Sequence, residues 1–487
     1  MKSNLRRICC LLLALAMIFS VAACGKATDG GSALDFEDEG WDIDAGNTDV
    51  DASTDEGSKT QTGNTSTVNS QGGSTTKQPA VKNADSLSLA ELTAQIPSKL
   101  RGTTVHVFSW NPAKDVTGAE KVIADFEKKT GIKVKWEQGS YETYDESIVA
   151  KINSGAAPDV IRYNEPNPGR MSMCQDLKTA TGFDFAGDIW DPSIRKEFTV
   201  KGKTYGVNMK NTFNKQPTVV IYLKSTIENN QLEDPYQLWK QGKWTFDKFI
   251  EMCKQFKSET GMAGWMSSWL IDIMWFEHLS FINFDNATGV YTNNSTSPQV
   301  VNALQRVCDW RAEGVMSGGM RETSAFTSGN YLFYTTNILG LRRNDSQHYV
   351  EQKKNNDVYC VPFPAQTGKT YWQSNQESES FGIPKGAKNA SAVYYFLRYY
   401  LDRENYDEKM FFSNSQILEV YDWCISQPNQ HHVFDRKLTK AYGEELCDIT
   451  VDIRGGLQSA QVKTFLESVS PEFQHATNEA NKVVAKF

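Results

Sequence analysis

Two short segments place an aromatic ring beside groups that can grip hydroxyls: Ser109-Trp110-Asn111-Pro112 and Tyr163-Asn164-Glu165-Pro166. An indole or phenol ring offers a flat apolar face, an amide both donates and accepts, and a carboxylate accepts. Together they suit a polyol, whose ring face is apolar and whose rim carries hydroxyls. A third concentration, Gly264-Trp265-Met266-Ser267-Ser268-Trp269 followed by Met274-Trp275-Phe276, puts three tryptophans in eleven residues. Trp265 and Trp269 are one helical turn apart, a spacing that lets them share a face. Bond-breaking chemistry is poorly provided for. The chain has six histidines, no Gly-x-Ser-x-Gly elbow and no His-Glu-x-x-His pair. Glu165 and Glu379 are carboxylates of the kind a glycosidase sets on either side of a scissile bond, but no local pattern places them so. The chain reads as a binder and not as an enzyme, with no cofactor and no metal.

The elements that must position these residues are legible from periodicity. Thr103 to Trp110 alternates and is rich in strand formers, while Ala119, Val122, Ile123 and Phe126 fall at helical spacing ahead of Gly131. Ile132 to Trp136 alternates again. Tyr144, Ile148, Val149 and Ile152 form a second amphipathic stretch that stops at Gly155, and Pro158 to Tyr163 makes a third strand. Strand, helix, strand, helix, strand predicts a parallel sheet. In such a sheet ligands bind beyond the carboxyl ends of the strands, where Trp110 and Tyr163 fall. No glycine-rich phosphate loop interrupts this pattern.

The chain's start reads as an address. Lys2, Arg6 and Arg7 precede an apolar run from Ile8 to Phe19, then Val21-Ala22-Ala23-Cys24. The run is about half of the roughly 20 residues that span a bilayer, so residues 1–23 read as a signal peptide. The stretch resembles a bacterial lipobox, which implies a fatty-acylated Cys24 at the outer face of the cell membrane. Residues 25–95 hold 13 Asp and Glu against 4 Lys, and the first 24 residues carry three positive charges. Of the net −8, only about −2 is therefore left for the remainder, and the acidity belongs to the segment after the anchor. Residues 24–95 read as a lipidated cysteine and a disordered Ser/Thr/Gly linker, because from Gly25 to about Ser88 large apolar residues are scarce. Asp42, Asp44 and Asp49 lack the glycine and closing glutamate of a calcium loop. Six further cysteines (Cys174, Cys253, Cys308, Cys360, Cys424, Cys447) have no Cys-x-x-Cys spacing, which argues against zinc and favours buried free thiols.

Between Val200 and Gly261 stand Gly202-Lys203-Thr204-Tyr205-Gly206, a strand around Tyr222, Asp234-Pro235-Tyr236, Leu238-Trp239 and Gly242-Lys243-Trp244-Thr245-Phe246-Asp247. Later come Phe284-Asp285-Asn286-Ala287-Thr288-Gly289-Val290-Tyr291, the helix start Ser297-Pro298, Phe326-Thr327-Ser328-Gly329-Asn330, and Phe381-Gly382-Ile383-Pro384-Lys385-Gly386. In this order they resemble the family 1 extracellular solute-binding proteins of bacterial ABC importers, the group of maltose- and oligosaccharide-binding proteins. Thr245 also has a local reading, as an N-cap ahead of Lys248, Phe249, Met252 and Phe256 with Trp244 as its staple. Trp239 and Trp244 therefore read as structural.

The resemblance implies an α/β, two-lobed periplasmic-binding-protein-like fold with a hinge, each lobe a mainly parallel sheet flanked by helices. It implies an N-terminal lobe of residues 96–210 and 381–425 and a C-terminal lobe of 211–380 and 426–487. It adds Trp265, Trp269, Asn337, Trp372 and Glu379 to the sugar-site candidates Trp110, Asn111, Tyr163, Asn164 and Glu165. The expected role is the substrate-binding component of an importer, capturing a carbohydrate by hinge closure and handing it to a membrane permease. The expected partners are thus the sugar, the permease and the membrane through Cys24; the chain is read as a monomer without nucleic acid. A sensor in place of the permease, or a peptide or polyamine in place of the sugar, is the alternative left open.

Overall fold

In a computed structural model, residues 84–487 are described apart from 114–117, 142, 164–165, 167, 269–272, 275–276, 278, 286, 321–322, 342–356, 365–372, 375–379, 413, 428 and 431–455. The first sheet forms where alternation predicts it. Strand β1 (Thr104–Ser109) buries Val105, Val107 and Phe108, and helix α1 (Ala119–Thr130) turns Val122 and Phe126 inward. Gly131 closes α1 in the left-handed region (φ 73°), a conformation that costs glycine nothing, and its N–H bonds to Glu127 O. Strand β2 (Lys133–Gln138), helix α2 (Tyr144–Asn153) and strand β3 (Val160–Tyr163) follow, and β1 pairs in parallel with both β2 and β3. All four residues of β3 are buried, as an inner strand covered on both faces requires.

The second sheet draws on dispersed segments. Its strands are β4 (Thr218–Leu223), β5 (Trp265–Ser267), β6 (Met316–Met320), β7 (Phe333–Asn337) and β8 (Val358–Pro362), in the spatial order β6-β5-β7-β4-β8. β5, β6 and β7 run parallel, and β4 is antiparallel to both β7 and β8. Helix α3 (Phe246–Thr260) starts as expected: Thr245 Oγ1 accepts from Lys248 N at 3.2 Å, and Trp244 packs edge-on against Phe249 at 6.0 Å. Helix α4 (Pro298–Ala312) carries Ser297 as N-cap and a proline in its first turn. Strand β9 (Ser380–Gly382) then returns to the first sheet, antiparallel to β3.

Helix α5 (Ala390–Tyr400) is buried on every side from Ala392 to Tyr400. A helix apolar all round must be covered all round. One cover is the segment before residue 100, whose Ala84, Leu92, Ile96 and Leu100 are buried. Ser88 and Glu91 form a capping box that starts its helix Leu89–Ala94, and Arg398 of α5 donates to Ala84 O and Leu87 O at 3.0 and 3.1 Å. Residues 84–95 are therefore folded onto α5, on the far side of the 95/96 boundary drawn from composition. The apolar surface that justifies this docking belongs to a helix some three hundred positions away.

Helix α6 (Ser415–Ser426) packs on β8 of the second sheet, whereas the sequence boundary placed it with the first lobe. The last helix, α7 (Val462–Val484), lies against the hairpin strand Val290–Asn293 and the short helix Pro168–Ser172. Among the described residues no helix is long and apolar enough to cross a membrane, and no cluster of His, Cys, Asp and Glu could hold a metal ion.

Candidate ligand site at the strand ends

At the carboxyl end of β1 the chain is fixed mainly through its backbone. Asn111 O accepts from Trp136 Nε1 at 2.9 Å, Asn111 N donates to Ser109 Oγ at 3.2 Å, and Gln138 Nε2 donates to Trp110 O at 3.2 Å. Asn111 is half-buried at the end of the sheet. Trp110 is more enclosed, only 8% exposed. The Arg162 guanidinium lies 4.8 Å from its ring centre, and Tyr144 and Tyr141 meet it edge-on at 5.0 and 5.8 Å. Tyr141 is the exposed member of this group, at 48%. Tyr144 donates to Phe108 O at 2.6 Å and accepts from Arg162 N at 3.1 Å, bolting β1 to β3; burial raises its pKa.

Tyr163 points into the protein. Its ring is fully buried against Phe198, and its hydroxyl donates to Cys174 Sγ at 2.6 Å. Burial pushes the Cys174 thiol up to about 12, so the sulfur is a neutral acceptor. Arg170, held by Asp145 through bonds of 2.6 and 3.0 Å, lies over the rings of Tyr144 and Tyr163. Gly382 packs so closely that a Cβ there would meet Tyr163 Cε2 at 2.3 Å. The stacking surface expected of Tyr163 is thus spent on the core.

Trp265 is placed in the same way. It sits on strand β5, not on a helix, and is fully buried among Phe249, Phe246 and Trp310, with Nε1 donating to Thr335 Oγ1 at 3.0 Å. The cause is strand alternation, which turns Trp265 toward α3. One residue past β5, the buried Ser268 Oγ bonds Tyr334 Oη at 2.8 Å and Thr336 Oγ1 at 3.0 Å, both buried as well. Asn337 ends β7, half-buried, in register with Thr218 at the start of β4. The buried Thr218 hydroxyl has no hydrogen-bond partner among the described residues.

Of the candidates, Asn111 and Asn337 stand partly open at strand ends, Trp110 is nearly enclosed, and Tyr163 and Trp265 are interior. Asn164, Glu165, Trp269, Trp372 and Glu379, like Cys24, lie outside the described residues. Sequence reasoning passed over Arg162, Tyr141, Tyr144, Ser268, Thr218, Tyr334 and Thr336. A charged residue inside an apolar strand and the doublets Ser267-Ser268 and Thr335-Thr336 before Asn337 were the signals available.

No curated protein sequence matches the chain. Solved structures do. The galacto-N-biose-/lacto-N-biose I-binding protein of an ABC transporter from Bifidobacterium longum, in complex with lacto-N-biose, is 12% identical over 77% of this chain and 98% of that one, with a TM-score of 0.57. An extracellular solute-binding protein from Staphylococcus aureus in complex with maltose is 13% identical over 79% and 97% (TM-score 0.54). An ABC substrate-binding protein from Listeria monocytogenes in complex with cycloalternan is 16% identical over 79% and 99% (TM-score 0.51). At such identities the likeness is one of fold, the two-lobed α/β architecture. The profile of a family of binding proteins, not enzymes, matches residues 121–412, more than half of the sequence, and the chain belongs to that family, the bacterial extracellular solute-binding proteins.

Proposed function

We propose that this protein captures a carbohydrate between its lobes and delivers it to an ABC permease while Cys24 holds it by a lipid at the outer face of the membrane. The observation that carries the ligand class is the end of the second sheet, where the buried hydroxyls of Ser268, Tyr334 and Thr336 bond one another at the strand end that carries the half-buried Asn337 amide. Uncharged donors and acceptors match sugar hydroxyls. The sugars in the complexes of structurally similar proteins support the same class. Asn111 and Asn337 supply contacts from the two sheets, with Trp110 behind Asn111. Asn164, Glu165, Trp269, Trp372 and Glu379 complete the proposed site. Capture needs no bond-breaking: the ligand favours the closed form because closure adds contacts from the second lobe.

Calorimetry and thermal-shift measurement against maltose, lacto-N-biose and cycloalternan, with spermidine and short peptides alongside, test the ligand class. A sugar present at a hundred times its Kd should add about 2.7 kcal/mol of stability. Binding of spermidine or peptide with none of the sugars would overturn the carbohydrate reading. Anchoring is tested separately, since Cys24→Ala should move the protein from the membrane fraction to the medium with ligand affinity unchanged. Retention on the membrane would remove the lipid from the proposal.

A further inference from the structure

The chain passes from the first lobe to β4 through residues 211–217, and this passage is gripped from both sides. Just upstream it still belongs to the first lobe: Val207 bridges Phe381, Met209 bridges Trp190, and Lys210 N donates to Ile189 O at 2.8 Å. Further along, Phe213 stacks on Phe411 at 3.9 Å, with the Arg403 guanidinium 4.5 Å from its ring centre. Tyr421 Oη donates to Thr212 O at 2.5 Å, and Tyr421 stands on α6, which packs on β8 of the second sheet. Thr212 is thus held by a helix that packs on the second sheet.

Two residues on, Lys215 reaches the other way. Its Nζ lies 2.6 Å from Asp191 Oδ2, and the two side chains are 1% and 8% exposed. Asp191 is itself immobile in the first lobe. Its Oδ1 accepts from Ser193 N and Ile194 N at 2.8 and 3.2 Å, capping the helix Pro192–Glu197, and its own N–H bonds Asn208 O at 2.9 Å.

We propose that the buried Lys215–Asp191 pair is the pivot on which the two lobes turn, which makes Lys215 a positioning residue for ligand capture; this rests on reading the molecule as closing over its ligand. The bond ties the two lobes together along this passage, because the segment carrying Lys215 is fastened to α6 through Tyr421 while Asp191 is fastened to the first lobe. Breaking a buried ion pair strands a charge, so the pair stays made during the rotation. An ammonium with three equivalent donors on a flexible stem can swivel about a carboxylate oxygen without losing it, which the planar fork of an arginine cannot do. The strand Gln373–Ser374 pairs in parallel with the later Asn429–Gln430, which lies against the helix Pro192–Glu197 that Asp191 caps.

The test needs no ligand, so it stands apart from the sugar screen. Spin labels on K121C in α1 and K254C in α3, both exposed lysines, report the inter-lobe distance distribution by pulsed electron resonance. K215M should lower Tm by stranding Asp191. K215M/D191N should restore Tm, since asparagine keeps the helix cap, yet shift and broaden the distribution. K215R, which keeps the charge but fixes its direction, should fold and narrow the distribution around one state. A wild-type distribution in K215M/D191N would reduce the pair to a structural contact and overturn the proposal, as would a wild-type distribution in K215R.

Discussion

Trp190 Nε1 donates to Asp85 Oδ1 across 2.8 Å and 105 positions of sequence. The same carboxylate accepts from Gly187 N at 2.8 Å and from the Tyr394 hydroxyl, so three donors from one loop and α5 of the first lobe close on one residue at the edge of an acidic, Ser/Thr-rich tract. Gly187 has to be glycine, because a Cβ there would sit 2.3 Å from Asp85 Cβ. The segment that docks here is part of the lobe.

Asp85→Ala should therefore destabilise the protein, by about 1–3 kcal/mol, since it leaves an indole N–H, a backbone N–H and a phenol without their acceptor. Urea unfolding measures the loss, and limited proteolysis should show new cleavage between residues 84 and 100. Unchanged stability with unchanged cleavage would mean that the segment only rests on α5.

Trp110 and Asn337 should respond differently to alanine. Trp110 is enclosed by Arg162, Tyr141 and Tyr144, so its truncation should cost about 3–5 kcal/mol of stability whatever it does to binding. Asn337 is half-buried at a strand end, and its loss should spare the fold while weakening sugar binding by roughly tenfold, the value of one good hydrogen bond. Calorimetry paired with a melting curve separates the two, and sugar affinity undiminished in Asn337→Ala would take that residue out of the site.

Stability should fall on the alkaline side. Burial holds Cys174 at about 12 and raises Cys253 and Cys360 well above their ordinary values. Below about pH 8 the thiols keep their protons whether the chain is folded or not, so stability is level. Above about pH 9 the unfolded chain gives up protons that the folded chain keeps, which favours unfolding by about 1.4 kcal/mol per pH unit for each such thiol. Urea titrations at pH 7, 8, 9 and 10 measure this slope; a flat profile would contradict neutral, sequestered thiols. The same burial should leave Cys174, Cys253, Cys308, Cys360 and Cys424 silent to a thiol reagent until the protein is unfolded.

Gly264→Ala should be among the more damaging small substitutions. The new methyl would lie 2.5 Å from Cys253 Cα, a backbone atom of α3 that cannot swing aside, so β5 and α3 would have to part. We expect a loss of about 1–3 kcal/mol, the usual penalty for overpacking, read as a lower Tm. A variant as stable as the parent would show that the two elements have slack.

How far the sequence could be read depended on whether a signal was local. The parallel order of β1, β2 and β3 followed from alternation and helical spacing over sixty residues. Thr245, Ser297 and Gly131 announced helix ends because a cap is a property of neighbours along the chain. The absence of catalytic motifs and the ordered family segments likewise needed nothing but the chain. What required the tertiary structure was the destination of each aromatic ring and each charge. Trp110, Tyr163 and Trp265 look equally suited to a ligand in sequence, but Tyr163 and Trp265 face the core while Trp110 is backed by Arg162. Alternation says that a ring turns to one face of a strand, and only the packing of both sheets says what covers that face. The docking of residues 84–95 was hidden for the same reason, since they are held by apolar surface on α5 and by Tyr394 and Arg398, some three hundred positions later. Composition measures what a segment can bury of itself; burial supplied by a distant partner is decided only when the chain has folded.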